Sequence, residues 1–453
     1  MSKCQNLVNA FPPLVNNFSL WYYLRMNKRN KIIIIIGAAV LLVAIALTVI
    51  LLSVKKASGK LNVTFYGLEE SQELSIKEEI QKLATEKISY TFQTLDSTKP
   101  MLSQLQGGTD LVIAPAGKNA DSVSASVKSK KSPAVSNNIL KGTSVSVRTA
   151  AVYNEDKKMV QVPILLDNVE LLVSTKALKS TGTQAMQTWT DIEDFAVKAK
   201  EQYPYSIVFA GSDPDTLLAL VTALTEAYSG KKACDGAKER ISDFLEKTPE
   251  PNNRECYDLI LELAETPDTP LYTATQVISR WYKERLTHPN VFQMTKKDVE
   301  IYLQNDYAVL TFMTLTDHRK IDTNIMSKYT CLPRALGNGG NTVGFFPSVR
   351  TASGRNLTSP IIMAIPLTTN KLTKWTIEQL LSTPAQESLS AKTGLSPVLS
   401  NCIVPDIQAD DVRFFVAATN APIQPLGNSA FTEKSAKDTF TRELMGYIIS
   451  ISF

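Results

Sequence analysis

Only two histidines occur in the chain. His288 stands before Pro289, His318 lies within "TDHRK", and neither has a partner at a spacing that acid–base or nucleophilic catalysis uses. The motifs G-x-S-x-G, HExxH, G-x-x-x-x-G-K-[ST] and GxGxxG are all missing. No CxxC occurs, so neither zinc binding nor thiol redox chemistry is indicated. "GSDPDT" (211–216) lacks the Gly and Glu that a calcium loop needs. No enzyme, metal or cofactor is therefore expected. With 44 acidic residues, chance carboxylate pairs carry no information. The chemistry these residues offer is hydrogen bonding and charge pairing.

The elements that must position such groups alternate. "LNVTFY" (61–66) reads as a strand ending at Gly67, a polar helix follows over 71–86, and "ISYTFQTL" (88–95) is a second strand. After a short helix, "TDLVIAPAG" (109–117) has the continuous apolar run of a buried parallel strand, closed by Pro115 and Gly117. That order predicts an α/β, doubly wound sheet. Residues 118–144 read as loop with a weak helix, and "KSKK" (128–131) as a solvated knot. "VQVPILLDNVELLVS" (160–174) returns to strand through Asp167 and Asn168. A second α/β unit follows, opened by a capping box at Thr190 and Glu193 and containing strands over 205–211, 305–313, 342–347 and 359–366. Helices are expected over 214–229, 233–247, 255–266, 273–286 and about 433–450. Late in the chain, "LLSTPAQESLSAKTGLSPV" (380–398) ends one helix and caps another at Thr383, with Gln386 as box partner, Gly394 as the left-handed terminator and Pro397 beyond it.

In open α/β sheets the loops beyond the carboxyl ends of strands line the crevice. Here those loops offer Leu68 and Glu69, Pro115 and Ala116, and Ser212, Asp213 and Asp215. Each has a plainer role as turn or helix cap, "SDPDT" above all. Trp189 and Trp375 fall on helices and read as core, while Trp281 reads as core or cleft.

The net charge of +4 misleads. Residues 1–60 hold eight Lys or Arg and no acid, which leaves 40 basic against 44 acidic residues beyond them. A nucleic-acid binder needs its positive charge on the folded surface, so that class is set aside. Ile32–Val54 is a 23-residue uncharged run, roughly 34 Å as a helix and long enough to span a bilayer core. It exceeds a signal-peptide core, and its flanking lysines and arginines slightly favour an internal N-terminus. An uncleaved signal anchor is the expectation, with Met26 a candidate true start. Beyond it lie Cys234, Cys256, Cys331 and Cys402, an even number outside the cytoplasm. Cys234–Cys256 is the pair favoured for a disulfide, with buried free thiols the alternative.

Four segments, in order, resemble the extracellular solute-binding proteins of bacterial ABC importers, the maltose-binding-protein group. "VPILLDNVELLVSTKAL" is similar to that family's first crossing between lobes, "TWTDIEDFAVKAKE" to its Thr-Trp helix start, "VEIYLQNDYAVLTF" to the segment before its second crossing, and "LTKWTIEQLLSTPAQESLSAKTGLSPV" to its late helix pair ending Thr-Gly-x-x-Pro. Departures exist: "NDYAVL" lacks a glycine, "VELLVSTKAL" lacks the usual Tyr-Asn, and "MTLTDHRK" carries no aromatic.

The resemblance implies a two-lobed periplasmic-binding-protein type II fold with several crossing strands in its hinge, preceded by one transmembrane helix. It divides the chain into a cytoplasmic 1–31, an anchor 32–54, a linker 55–60, lobe 1 from 61–166 with 312–346, and lobe 2 from 167–311 with 347–453, the last helix free to return to lobe 1. The late helix pair would pack on lobe 2. Asp167 and Asn168 at the first crossing, Leu315 and Thr316 after the second, and Phe431 ahead of the last helix join the candidate ligand-binding set. The implied role is a receptor that delivers a small polar or carbohydrate-like solute to ABC permease subunits, outside the cytoplasm and tied to the membrane. An acidic cleft with few aromatics favours a hydroxylated or cationic solute over an anion. An anchored scaffold that kept the shape and lost the solute is the alternative.

Overall fold

The computed structural model describes residues 59–127, 135, 137–155, 157–167, 169–183, 186, 189–331, 360–404 and 423–453. The apolar run Ile32–Val54, the knot 128–131, Asn168 and the strand expected over 342–347 lie outside the described residues. Among the described residues, no helix is long and apolar enough to cross a membrane.

Among the described residues, eleven strands form two sheets. The larger contains β1 (Gly59–Phe65), β2 (Ile88–Thr94), β3 (Leu111–Pro115), β4 (Val152–Tyr153), β5 (Met159–Leu166), β10 (Ile361–Pro366) and β11 (Ser396–Pro397), in the order β11-β5-β10-β3-β1-β2 with β4 on β5. The smaller has the order β7-β8-β6-β9, from β6 (Val169–Ser174), β7 (Ile207–Phe209), β8 (Leu310–Thr314) and β9 (Tyr329–Cys331). The helices that matter below are α1 (Glu70–Gln81), α2 (Lys118–Ser126), α3 (Trp189–Ala199), α4 (Pro214–Ser229), α5 (Lys231–Lys247), α6 (Asn253–Ala264) and α7 (Tyr272–Lys283). They continue with α8 (Lys296–Gln304), α9 (Leu315–Lys320), α10 (Lys371–Leu380), α11 (Thr383–Thr393), α12 (Leu426–Ser429) and α13 (Lys434–Ser450).

β1 pairs in parallel with β2 and β3, as strand–helix–strand connections require. The sheet is mixed beyond that point, because β10 inserts antiparallel between β3 and β5. This corrects the expected division of the chain. β8 pairs with β6 and β7, so 312–331 belongs with the second sheet, and β10 and β11 place 361–397 with the first. The helix pair α10–α11 follows β10 and therefore packs on β1 and α1 of the first half, not on the second.

The start of α11 also differs. Its N-cap is Ser382, one residue before Thr383, and no side-chain cap bond forms. Gln386 turns inward instead. Fully buried, it donates from Nε2 to the carbonyls of Ile164 (2.9 Å) and Leu380 (2.8 Å), and its oxygen accepts from the Val398 amide at 2.8 Å. Three buried backbone groups satisfied by one amide outweigh a solvent-side cap. Gly394 does terminate α11 in the left-handed region, at φ 73°.

α1 and α11 share a buried carboxylate. Burial pushes the Glu79 pKa up, but hydrogen bonds from Lys82 and Ser388 and the charges of Lys82 and Lys392 outweigh it and hold the group below its ordinary value. A depressed acid stabilises the fold above its unfolded pKa of about 4.3 and loses that contribution as pH falls through the folded value. Glu79→Gln should therefore cost about 1.5–3 kcal/mol at neutral pH and less near pH 3. Urea unfolding at both pH values measures this, and equal losses at both would refute it.

The second half packs around Trp189, Trp281 and Phe312, each at most 2% exposed, with ring centroids 5.7–6.0 Å apart. Trp281 is thus core. Trp375 is half-buried on α10. Thr190 lies inside α3, which begins at Trp189, so it is not a cap. Glu193 instead accepts from Trp281 Nε1 at 2.7 Å and pairs with Arg280.

The expected disulfide is absent: Cys234 and Cys256 are free. α5 turns Cys234 toward the Thr222 carbonyl of α4, whereas the charges nearest Cys256 include Glu443 and Arg442 of α13. Burial first, then nearby carboxylates, pushes the thiols up to about 12 for Cys234 and about 11 for Cys256. Alkylation at pH 8 should run at least about a hundredfold slower in the native chain than in guanidinium. Mass spectrometry without reductant should find both thiols modified once unfolded, and a linked Cys234–Cys256 peptide would overturn this assignment.

Candidate functional site

All strand ends that point one way in the larger sheet converge with the chain's passage into the smaller one. Phe65, Pro115, Leu166 and Ile361 close that edge, and the passage from β5 to β6 begins there at Asp167. Between the two halves lies a cavity of about 440 Å³, within the range of small-molecule sites. The first half contributes the turn Gly67–Glu69, Gln72, and Pro115–Gly117 with Asn119. The second contributes Asp215, Lys296, Thr314, Thr316, Asp317 and the Gly427–Lys437 region.

Eight of the nominated residues line this cavity: Leu68, Glu69, Pro115, Ala116, Asp167, Asp215, Thr316 and Phe431. Leu315 does not, because neighbouring positions on a helix face different ways, and it is fully buried in the second half. Ser212 donates its hydroxyl to the Met294 carbonyl at 2.8 Å, and Asp213 caps α4 by accepting from the Thr216 amide and hydroxyl. Both do structural work beside the cleft.

Asp167 is the junction. One carboxylate oxygen accepts from the Thr316 amide at 3.2 Å and the other from its hydroxyl at 2.6 Å. Thr316 in turn accepts from Gln72 Nε2 at 2.8 Å, which ties α1 of the first half to α9 of the second.

The acids here are not bare. Lys296 Nζ stands 2.9 Å from Asp317 and 3.6 Å from Asp213, Lys437 is 2.7 Å from Asp215, and Lys320 is 3.1 Å from Glu69. Burial disfavours the Lys296 ammonium, but Asp317, Asp213 and Asp215 outweigh it and hold its pKa above the ordinary lysine value. The cleft is therefore a mosaic of both signs, not the acidic pocket expected. Gln72, Lys296, Asp317 and Lys437 escape a sequence reading. Lys296 follows the cap Thr295 like many first-turn lysines, and nothing local sets it apart. Tyr66 and Phe431 reach the cavity wall only by their edges, at 6% and 3% exposure.

The halves also meet at the lip of the cavity. Gly117 has φ 136°, and a Cβ there would lie 2.1 Å from the Asn428 carbonyl oxygen of α12. Lys118 pairs with Glu246 at 3.0 Å, and Asn119 donates to the Thr432 carbonyl at 3.0 Å.

No family model matches this sequence, and no curated protein matches it significantly. Solved structures do. The bacterial solute receptor AcbH, described as exclusive for β-D-galactopyranose, superposes with a TM-score of 0.61 over 88% of this chain and 99% of its own, at 14% identity. The fold is that of the bilobed solute-binding proteins. The binding protein msme of Bacillus subtilis, in an open conformation, gives 0.59 at 10% identity over 88% of this chain and 97% of its own. A sugar transporter from Bacillus licheniformis in complex with stachyose gives 0.54 at 10% identity over 85% and 99%. These neighbours are binding and transport proteins rather than enzymes. In the solute-binding fold, the cavity between the halves is the place where the strand-end loops of this chain converge.

Proposed function

We propose that this chain captures a small polar, carbohydrate-like solute between its two halves and delivers it to ABC-type permease subunits. The observation that carries this reading is the cleft itself, built on the solute-binding fold from strand-end loops of both halves and bridged by Asp167. Neighbours described with galactopyranose and stachyose favour a hydroxylated ligand. The alternating carboxylates and ammonium groups suit it, since each offers acceptors or donors to hydroxyls. Leu68, Glu69, Pro115, Ala116, Asp167, Asp215, Thr316 and Phe431 are the proposed contacts. Asn168 joins them by its place in the chain.

Anchoring belongs to the same proposal. The run Ile32–Val54 would hold the receptor to the membrane, with its folded part outside the cytoplasm. A tethered receptor meets a membrane permease at high effective concentration.

Thermal unfolding of the full chain in detergent, against galactose, raffinose, stachyose, amino acids, oligopeptides and polyamines, tests the capture step. A ligand bound only by the folded state raises Tm, and saturation at 100 times Kd adds about 2.7 kcal/mol. A saccharide should shift Tm by several degrees. No shift across the whole panel would favour the scaffold reading.

A further inference from the structure

Six residues, Leu315–Lys320, form the short helix α9 directly after β8. Helical periodicity sorts them. Thr316, Arg319 and Lys320 stand at i, i+3 and i+4 and so share one face. All three reach the first half: Thr316 takes the hydrogen bond from Gln72, Lys320 pairs with Glu69, and Arg319 Nε donates to the Gly394 carbonyl at 3.3 Å. The Arg319 stem lies so close over Gly394 that a Cβ there would stand 2.4 Å from Arg319 Cγ. That explains a second demand on the glycine ending α11.

The opposite face is Leu315 and His318, both buried in the second half. His318 Nδ1 meets Glu170 Oε2 at 2.5 Å, and Glu170 is fully buried on β6, three residues beyond Asp167. Between the faces, Asp317 turns to the cavity and Lys296.

We infer that α9 couples the cleft to the angle between the halves: one face grips the first half, the other is pinned to the second by Glu170, and Asp317 meets an occupant. Glu170, His318 and Arg319 are thus positioning residues for closure. The inference rests on the solute-capture reading, because closure has a purpose only there. Physically, a short helix gripped on both sides turns as a unit, and hinges concentrate at such element ends. An occupant engaging Asp317 or Lys296 shifts the equilibrium only through contacts that differ between open and closed states, and α9 supplies them.

The test reads the angle without any ligand. Spin labels on genetically encoded residues at the exposed positions Lys77 of α1 and Lys297 of α8 report the distance between halves in the full chain. The unsubstituted chain should give one dominant distance. Arg319→Ala and Glu170→Ala should each raise the population of a longer distance about tenfold, the effect of losing about 1.4 kcal/mol of contact. Glu170→Gln keeps an acceptor for His318 and should restore the dominant distance. Lys118→Ala removes the exposed lip pair, which is worth little, and should change the distribution less than twofold. The coupling is refuted if Arg319→Ala leaves the distribution unchanged, whatever its melting temperature, or if Lys118→Ala broadens it equally. Because Arg319 is half-buried, its variant keeps the test readable even if Glu170→Ala fails to fold. A blank solute panel would sink the receptor reading while leaving this distance result standing.

Discussion

Trp281→Ala is expected to cost about 3–5 kcal/mol, the range for truncating a buried aromatic. Three effects act together. The substitution opens a cavity in the centre of the second half, strips both Trp189 and Phe312 of a ring partner less than 6.1 Å away, and removes the indole N–H that Glu193 accepts. Domains are stable by only about 5–15 kcal/mol, so a substantial part of the margin would go. Trp281→Phe keeps a ring, loses the donor, and should cost less than half as much. Denaturant unfolding followed by circular dichroism measures both. A midpoint for Trp281→Ala at the wild-type position, with unchanged slope, would show that the aromatic cluster does not hold this half together.

The largest functional effect is expected at Asp167. Asp167→Ala leaves the Thr316 amide and hydroxyl without their acceptor and breaks a link that joins the β5–β6 passage to α9 and, through Gln72, to α1. Losing two hydrogen bonds to a charged group should cost about 2–4 kcal/mol, much of it as mispositioning of the cleft. Affinity for whichever solute raises Tm should fall at least about a hundredfold, the usual result of truncating a central contact. Asp167→Asn keeps one acceptor and should recover part of it. Titration calorimetry measures the ratio. Unchanged affinity, together with a lowered Tm, would make Asp167 a fastener of the passage and remove it from the ligand's contacts.

What could be read from the sequence follows the range of the forces involved. α4 runs from Pro214 to Ser229 as expected because its start signal, Asp213 followed by Pro214, is local. The strand ends at Gly67 and Pro115 were likewise marked by their own residue types, and they delivered Leu68, Glu69, Pro115 and Ala116 to the cavity wall. Strand partnership was not legible. β10 pairs with Leu111–Pro115 and with Val162–Leu166, contacts across hundreds of residues that leave no mark on β10's own pattern, so its assignment to the first half needed coordinates. Gln386 shows the same limit in one residue. Its spacing from Thr383 mimics a capping box, yet burial against β5 decides its bonds. Lys296 and Gln72 are ordinary polar residues of exposed-looking first turns, and only the meeting of the halves gives them a role.

The antiparallel insertion of β10 has a consequence for how the chain is made. β3 and β5 leave the ribosome with the slot between them empty, and its occupant is synthesised about 200 residues later. At about 5–20 residues per second, elongation leaves those two apolar edges open for roughly 10–40 s. Open edges of this kind recruit other strands, so mispairing is the hazard this order carries until Ile361–Pro366 arrives. The smaller sheet, whose described strands are in place by Cys331, can form before the larger one is complete.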